Sequence, residues 1–352
     1  MPPPPARRAL AARLRATARL CARLASPLSA LLLDRSAHDV ERGGPAWRLL
    51  EGHEDDPPGS VIGLRLLGSA HRLVLLGSAP RLAARYPSAG GEGPPAAAWA
   101  PFRELLEERR EELRALLERP VQTNEVARSA ALVGGFLTVA AHSALPLRVL
   151  EIGASAGLNL RWDRFRYEDA GGWGDPTSPV RLSGRIAGGR PPFHVAAEVV
   201  ERRGCDLWPV DALGDEGLLT LRSYTWADQL DRLRLLDAAV AVARAVPAAV
   251  ERAGAAEWLE AVLAEPVPGT ATVVVNSAMW QYLEAGEQAR VQRAIEAAGA
   301  RASGSAPLAW LRLEPGQAPH LLEVRLTSWP EGTERRLATT DAHGRGVLWL
   351  GS

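Results

Sequence analysis

Residues 147–160 read LRVLEIGASAGLNL, an apolar run followed by a turn of small residues. The branched residues of 147–152 predict a buried β-strand that ends at Gly153, and the apolar residues after Gly157 predict a helix. Small residues between a strand and a helix let the backbone approach a ligand closely, and the start of a helix offers unpaired N–H groups. This stretch therefore predicts an α/β fold with a ligand-binding turn.

Beyond this turn, short apolar runs alternate with amphipathic segments. Strands are predicted at residues 195–200, 218–224, 270–275, 308–313, 321–326 and 347–350. Helices are predicted at residues 230–245, 255–263 and 286–298. Strands that alternate with helices form parallel sheets through crossover connections. Because the closing strands have little helix between them, we expect the last strand to be antiparallel.

Before Pro146 the pattern is different. Leucines recur at helical spacing between arginines near the N-terminus, and no convincing strand pattern occurs before that proline. We therefore expect two domains, an all-helical N-terminal domain or lid at residues 1–145 and a sheet-containing domain at residues 146–352.

The composition excludes several classes of site. The 352 residues include 41 basic and 41 acidic side chains, and a formal net charge of zero argues against general nucleic-acid binding. All 41 of these basic side chains are arginines, which excludes Schiff-base and P-loop chemistry because both need a lysine amine. Cys21 and Cys205 form no CxxC pair and the histidines are scattered, so we expect no metal site.

No apolar run approaches the roughly 20 residues that span a bilayer. Arginines interrupt the N-terminal segment every few residues, which is unlike a secretory signal. We therefore expect a soluble, cytoplasmic protein that acts on a small molecule and makes no membrane contact. The sequence leaves the oligomeric state open.

The turn at residues 150–160 resembles motif I of S-adenosylmethionine-dependent methyltransferases, in which an acidic residue precedes a glycine-rich turn. The resemblance implies a Rossmann-like nucleotide-binding domain at residues 146–352 with S-adenosylmethionine as the cofactor. It implies that Gly153, Ser155 and Gly157 border the methionine moiety and that Glu151 lies near its amino group. The alternative is a tight strand-to-helix turn that binds nothing.

Two further acidic residues fit the same resemblance. Asp206 lies in the sequence GCDLWP, which resembles the end of the second methyltransferase strand, where a carboxylate binds the ribose hydroxyls. Asp228 lies in YTWADQ and would accept a hydrogen bond from the adenine amine. The gap from Gly157 to Asp206 exceeds the usual spacing of about 20 residues, so it requires an insertion. The alternative for Asp206 is a turn or helix cap, and the alternative for Asp228 is a helix N-cap next to a buried tryptophan.

Two polar residues are candidates for orienting the reactants. Asn276 follows the strongest predicted strand, and ligands in open α/β sheets meet the carboxyl ends of strands. Glu125, in the polar segment Gln122-Thr123-Asn124-Glu125, either closes the pocket or caps a helix. Arg161 is a third orienting candidate. The resulting expectation is methyl transfer to an unknown, small-molecule acceptor.

The whole chain is also similar to an uncharacterised bacterial family, the domain-of-unknown-function family 2332. The similarity is carried by residues 121–126, 151–160, 203–206 and 306–311. It implies no established reaction, so it leaves the choice between functions open.

Two other function classes remain as alternatives. Residues 153–157 also spell Gly-x-Ser-x-Gly, which in α/β-hydrolases exposes a nucleophilic serine; here Ser155 would need His343 and a carboxylate such as Asp341. The hydrolase fold has strands before that turn, whereas this sequence predicts helices. A non-catalytic Rossmann-like module that binds a ligand or a partner is the second alternative.

Overall fold

The computed structural model describes residues 3–318 and 320–351. The chain has a mixed α/β fold with a large, mostly parallel sheet and helices. It divides into two compact units, and each combines separate parts of the sequence. The first contains the chain up to Thr123 and Gly214–Arg234, and the second contains Asn124–Leu213 and the chain from Leu235. Among the described residues, no helix has the length and apolar character to cross a membrane.

The first unit is built from short and medium helices. They are α1 (Pro5–Arg23), α2 (Pro27–Glu41), α3 (Pro45–Leu50), α4 (Ile62–Leu75), α5 (Pro80–Ala83), α6 (Trp99–Glu108) and α7 (Arg110–Leu117), with α9 (Asp215–Tyr224) added from later in the chain. Four of these helices begin with proline, whose fixed φ and missing N–H suit the first helical position. The domain boundary predicted at residue 145 stays a prediction, because a compact unit of the structure need not be a domain that folds independently.

Helix α9 corrects the strand predicted at residues 218–224. Leu221 and Tyr224 are three residues apart and both are buried, which is the spacing of one helical face. A seven-residue apolar run does not by itself distinguish a strand from a helix. The α9 segment is fastened to α4, since His71 Nδ1 lies 3.1 Å from the Ser223 carbonyl oxygen and the Tyr224 ring packs against Gly68.

The second unit contains a nine-stranded sheet in the order β5-β12-β11-β10-β9-β8-β1-β6-β7. Its strands are β1 (Leu147–Ile152), β5 (Ile186–Gly188), β6 (Val199–Asp206), β7 (Ala249–Arg252), β8 (Ala271–Ser277), β9 (Leu308–Pro315), β10 (Leu322–Trp329), β11 (Thr333–Thr340) and β12 (Val347–Trp349). A small second sheet consists of β2 (Arg166–Tyr167), β3 (Trp173–Gly174) and β4 (Arg181–Leu182).

The five strands from β7 to β9 are parallel, so their carboxyl ends lie at one edge of the sheet. The chain passes from β1 outward to β6 and β7, then returns to β8 on the other side of β1 and continues to β9. The direction of winding therefore reverses between β1 and β8. Strands β10, β11 and β12 each run antiparallel to the strand before them.

Helices cover both faces of this sheet. The remaining α-helices among the described residues are α8 (Ser129–Ser143), α10 (Leu230–Ala245), α11 (Ala255–Val262) and α12 (Ala285–Gly299). Trp310 of β9 belongs to the core formed with α11 and α12, whereas the next residue, Leu311, packs against Gly135 of α8. Successive side chains of a strand point to opposite faces, so α8 lies on the face opposite α11 and α12.

Three predictions differ from the structure in this unit. The strand expected at residues 195–200 lies at Val199–Asp206, and β7 and β11 were not expected. The segment after the glycine turn is a 3-10 helix at Leu158–Arg164, with a kink at Arg161, where an α-helix was expected. The long gap before Asp206 is filled by the small sheet and β5.

Candidate functional site

The carboxyl ends of the parallel strands bring four sequence-distant polar residues to one edge of the sheet. Glu151 is the penultimate residue of β1, Asp206 ends β6, Asn276 precedes the last residue of β8, and Glu314 lies near the end of β9. The winding reversal between β1 and β8 lies among them. In open α/β sheets this is the crevice in which ligands bind.

The glycine turn has the backbone conformation that its small residues allow. Gly153, Ser155 and Gly157 all have positive φ, at 66°, 53° and 64°. A Cβ atom at Gly153 would lie 2.8 Å from Cγ of Met279, and one at Gly157 would lie 2.6 Å from Cγ2 of Val250. Both glycines are therefore required by close packing as well as by φ.

Asp206 braces this turn. Its Oδ2 accepts a hydrogen bond from the backbone N–H of Ser155 and its Oδ1 accepts one from the N–H of Trp208, both at 2.8 Å. Asn124 holds the next residues, because its Oδ1 accepts a bond from Leu158 N at 2.8 Å. Both carboxylate oxygens of Asp206 thus accept hydrogen bonds from the backbone of the chain, and the ribose role of this residue stays a prediction.

Glu151 is a buried carboxyl group, 3% exposed, whose Oε2 has no hydrogen-bond partner among the described residues. Burial raises the pKa of Glu151 to about 8. The charge of Arg161 opposes that rise, Asp206 adds to it and Arg128 opposes it. An unpartnered carboxylate in the interior is costly, which marks this oxygen as a place for a donor from outside the chain.

Arg161 acts on Glu151 through the charge of its guanidinium group. Its Nε donates to the Val246 carbonyl oxygen at 2.9 Å and its Nη1 donates to the Gly157 carbonyl oxygen at 2.7 Å. Both of these bonds go to backbone oxygens, and the charge of Arg161 acts on Glu151 by lowering its pKa. Burial lowers the pKa of Arg161 to about 10.

Asn276 is fully buried, and its side chain forms hydrogen bonds with neighbouring residues. Its Oδ1 accepts a bond from Trp310 Nε1 at 2.9 Å, and its Nδ2 donates to Glu314 Oε1 at 2.7 Å. The same glutamate oxygen accepts bonds from the N–H groups of Met279 and Trp280, at 3.1 and 3.3 Å. The structure therefore places Asn276 as the residue that orients Glu314.

Glu314 is the residue that our sequence reasoning missed. Its Oε2 is shielded from solvent and has no hydrogen-bond partner among the described residues. Burial raises the pKa of Glu314, against the effect of the donors on Oε1 and of Arg128. The available signal was its place in Leu-Glu-Pro at the end of a predicted strand, where ligands of α/β sheets bind.

Arg128 connects the two glutamates electrostatically. Its Nε donates to the Ala342 carbonyl oxygen at 3.0 Å and its Nη1 to the Ser277 carbonyl oxygen at 3.3 Å. From this position its charge lowers the pKa of both Glu151 and Glu314. Tyr282, whose side chain is half-exposed, interacts electrostatically with Arg128 and Glu314.

Glu125 acts as a cap in the structure. Its side chain accepts a bond from Ala127 N at 3.3 Å at the start of a short 3-10 helix, and its carbonyl oxygen accepts one from Asn159 Nδ2 at 3.2 Å. Ser129 Oγ donates to Asn159 Oδ1 at 3.1 Å. The polar segment before α8 thus holds the chain that follows the glycine turn.

Asp228 belongs to the first unit and caps α2. Its Oδ1 accepts a bond from Ser26 Oγ at 2.5 Å, and its Oδ2 accepts one from Leu28 N at 2.9 Å. The capping alternative expected Asp228 at the start of its own following helix, whereas the residue caps the sequence-distant helix α2. Its adenine role stays a prediction.

Asp341, the carboxylate that a serine hydrolase using Ser155 would need, forms hydrogen bonds with other groups. Asp341 Oδ1 accepts bonds from the backbone N–H groups of His343 and Arg345, at 2.8 and 2.9 Å, and Oδ2 accepts one from Arg345 Nε at 2.8 Å. Ser155 is buried and its positive φ belongs to the glycine turn. In the described ranges, no group of three or more His, Cys, Asp or Glu side chains has a metal-binding arrangement.

Comparison with known proteins gives one match. A family model described as "Uncharacterized protein conserved in bacteria (DUF2332)" matches residues 11–349. No curated protein and no solved structure matches the chain.

Proposed function

The chain belongs to the bacterial family DUF2332, whose description names no reaction, and on this premise we propose that it binds S-adenosylmethionine and transfers the methyl group to a small-molecule acceptor. The observation that carries the proposal is the unpartnered, buried Oε2 of Glu151 at the end of β1, on which the charge of Arg161 acts. An α-amino acid headgroup presents an ammonium and a carboxylate, and these two side chains match that pair of charges.

The residues around the headgroup fit the methionine part of the cofactor. Glu151 would accept a charge-assisted hydrogen bond from the ammonium, and Nη2 of Arg161 would donate to the carboxylate. Gly153 and Gly157 add no side chain of their own to the turn, and the side chains of Met279 and Val250 pack against it there. Met279, which packs at Gly153, is an unbranched and polarizable side chain that adapts to a ligand.

The proposed fold class is a Rossmann-like sheet of the methyltransferase type with an antiparallel end, preceded by a helical domain. Its support is the winding reversal between β1 and β8, the position at which doubly wound sheets bind nucleotides. The two unpartnered glutamate oxygens lie at the carboxyl ends of strands in this same region.

The chemistry asked of the protein is mainly positioning. When bound, the cofactor supplies an electrophilic methyl group on a sulfonium sulfur. Glu151 and Arg161 would fix one end of that ligand, and Asp206 keeps the turn in place through Ser155 N. Fixing both reactants in line with each other is a large source of rate acceleration and needs no covalent intermediate.

The test is calorimetric titration with S-adenosylmethionine and S-adenosylhomocysteine. We expect micromolar binding to the wild type and at least about tenfold weaker binding to Glu151→Gln, because the charge-assisted bond is lost. Glu260→Gln is the matched control, since its exposed carboxylate pairs with Arg290 on the surface. Glu151→Gln keeps the size of the side chain and removes a buried ionisable group, so misfolding is not expected to explain its weaker binding.

A second readout tests the role of Glu151 directly. With its pKa near 8, most of this carboxyl group is protonated at pH 7 and would ionise on pairing with an ammonium. Titrations in buffers of different ionisation enthalpy should therefore show proton release from the wild type at pH 7 and less from Glu151→Gln. No binding at millimolar ligand would refute the cofactor assignment. Tight binding without methyl transfer to any acceptor would favour a non-catalytic ligand-binding protein.

A further inference from the structure

We propose that Glu314 receives the nitrogen of the methyl acceptor and that the acceptor is a small amine. This inference rests on the proposed function, because it assigns the second reactant of the same site. Glu314 lies at the end of β9, and its Oε1 is held by Asn276 Nδ2 and by the N–H groups of Met279 and Trp280. The carboxylate therefore has a fixed orientation with one oxygen left over.

An unpartnered buried oxygen sets Glu314 and Glu151 apart from the other glutamates in the described chain. Three glutamates have a buried oxygen without a hydrogen-bond partner, namely Glu104, Glu151 and Glu314. Oε2 of Glu104 nevertheless lies 2.8 Å from Arg81 Nη1, so it is paired as an ion. The remaining two both lie at the carboxyl edge of the parallel strands. Two such oxygens at one edge fit two separate donor groups.

Met279 links Glu314 to the glycine turn. Its backbone N–H donates to Glu314 Oε1, and its side chain packs where a Cβ atom of Gly153 would be. One residue therefore contacts both the carboxylate and the turn assigned to the methionine moiety. This contact puts Glu314 next to the cofactor site, on the side of β8 and β9.

The chemistry of the oxygen selects the class of acceptor. An ammonium gives a charge-assisted hydrogen bond with a carboxylate, about twice as strong as one between neutral groups. A carboxylate acceptor would be repelled, and Arg128, whose Nε and Nη1 bind backbone oxygens, only partly offsets that charge. A hydroxyl acceptor would form only a weaker bond. An amine is thus the acceptor that this site favours.

The proposed transfer balances with Glu314 as the proton acceptor. The acceptor ammonium loses one proton to Oε2 of Glu314, and the freed nitrogen lone pair forms the bond to the methyl carbon. The bond between methyl carbon and sulfur breaks and leaves its electron pair on sulfur. The products are an N-methylated ammonium, the thioether and protonated Glu314, which then releases its proton to solvent.

The experiment measures binding of defined amines to protein saturated with S-adenosylhomocysteine. The probes are phenethylamine, tryptamine and putrescine, each paired with the alcohol of the same skeleton, and the proteins are wild type, Glu314→Gln and Glu260→Gln. We expect at least one amine to bind the wild type and the Glu260→Gln control, with its alcohol binding at least about tenfold more weakly. In Glu314→Gln the amine should bind about as weakly as the alcohol, while S-adenosylhomocysteine affinity stays unchanged.

The outcomes separate this inference from the proposed function. Equal binding of an amine to wild type and Glu314→Gln, preference for the alcohols, or no binding of any probe would overturn the amine assignment. Loss of S-adenosylhomocysteine binding from Glu314→Gln would move Glu314 into the cofactor site and overturn the assignment as well. If S-adenosylhomocysteine does not bind the wild type, the proposed function fails, and the same amine titrations on ligand-free protein test Glu314 alone.

Discussion

Glu151 occupies a position where its charge weakens the folded state. Its pKa is raised from the ordinary value of 4.5 to about 8 in the folded chain because the carboxyl group is buried. Below about pH 4.5 the group is protonated in both the folded and unfolded states and has no effect on the pH dependence. As pH rises toward 8 the unfolded chain ionises first, so the folded state progressively loses stability.

This linkage predicts that Glu151→Gln is more stable than the wild type in alkaline solution. The difference in unfolding free energy should grow between about pH 5 and pH 8, with a limiting slope of about 1.4 kcal/mol per pH unit. Urea unfolding at pH 5.5, 7 and 8.5 measures it. The Glu260→Gln control should show no such trend, and a pH-independent difference for Glu151→Gln would contradict the account.

At the scale of elements, β6 approaches the glycine turn at Gly204. A Cβ atom there would lie 2.7 Å from Ala154 Cβ and 2.9 Å from the Glu151 carbonyl oxygen. The alanine side chain therefore fits only if β6 or the turn moves. Because Asp206 lies two residues further along β6, such a movement would also shift the carboxylate that holds Ser155 N.

We predict that Gly204→Ala destabilises the protein by about 1–3 kcal/mol, the usual cost of an added methyl in a packed region. It should also weaken S-adenosylhomocysteine binding, because the turn is displaced. Gly286→Ala is the control: a Cβ atom at this residue of α12 would meet no other atom within 4 Å, and alanine should add up to about 1 kcal/mol. Equal stabilities of the two variants in chemical unfolding would show that β6 has room for the methyl group.

Elements with a clear period were predictable, and those set by tertiary contacts were not. The strand at Leu147–Ile152 and the helix at Leu230–Ala245 follow from apolar run and helical spacing. The apolar run at residues 218–224 is short and does not alternate between apolar and polar residues, so its sequence does not distinguish a strand from a helix. Packing against the rest of the first unit makes it helical. Thr333–Thr340 has an exposed, arginine-containing first half, so its pairing with β10 was not visible in its composition.

The candidate site was predictable from the sequence only where its residues lie in one local pattern. Glu151, Gly153 and Gly157 lie in one short pattern, which a single sequence contains in full. Glu314 gains its meaning from Asn276 and Met279, which are distant in sequence and are brought together by adjacent strands β8 and β9. The capping partners of Asp228, Ser26 and Leu28, are likewise fixed only by tertiary structure.

At the scale of the whole molecule, the first unit is discontinuous in sequence. Residues Gly214–Arg234 belong to it although the second unit begins at Asn124. Leu221 and Tyr224 of α9 are buried, and His71 bonds to the Ser223 carbonyl oxygen. A chain that ends at residue 123 therefore lacks part of its own core.

We predict that a fragment of residues 1–123 is less stable than the same fragment joined through a flexible linker to residues 214–234. Two buried side chains correspond to about 3–6 kcal/mol of stabilisation, which is a large share of the stability of a small domain. Circular dichroism and thermal melting of the two purified fragments measure the difference. A linked fragment that carries Tyr224→Ala should lie between them, and identical melting of all three would contradict the prediction.

Because the first unit is discontinuous in sequence, its parts are synthesised at different times. Helices α1–α7 leave the ribosome long before α9, and at about 5–20 residues per second the intervening residues 124–213 take several seconds to make. Throughout that interval the position on α4 that receives the Tyr224 ring has no cover from α9. A nascent chain that waits with exposed apolar surface is a client for chaperones, so the yield of folded protein in a cell should depend on how fast the middle of its message is translated.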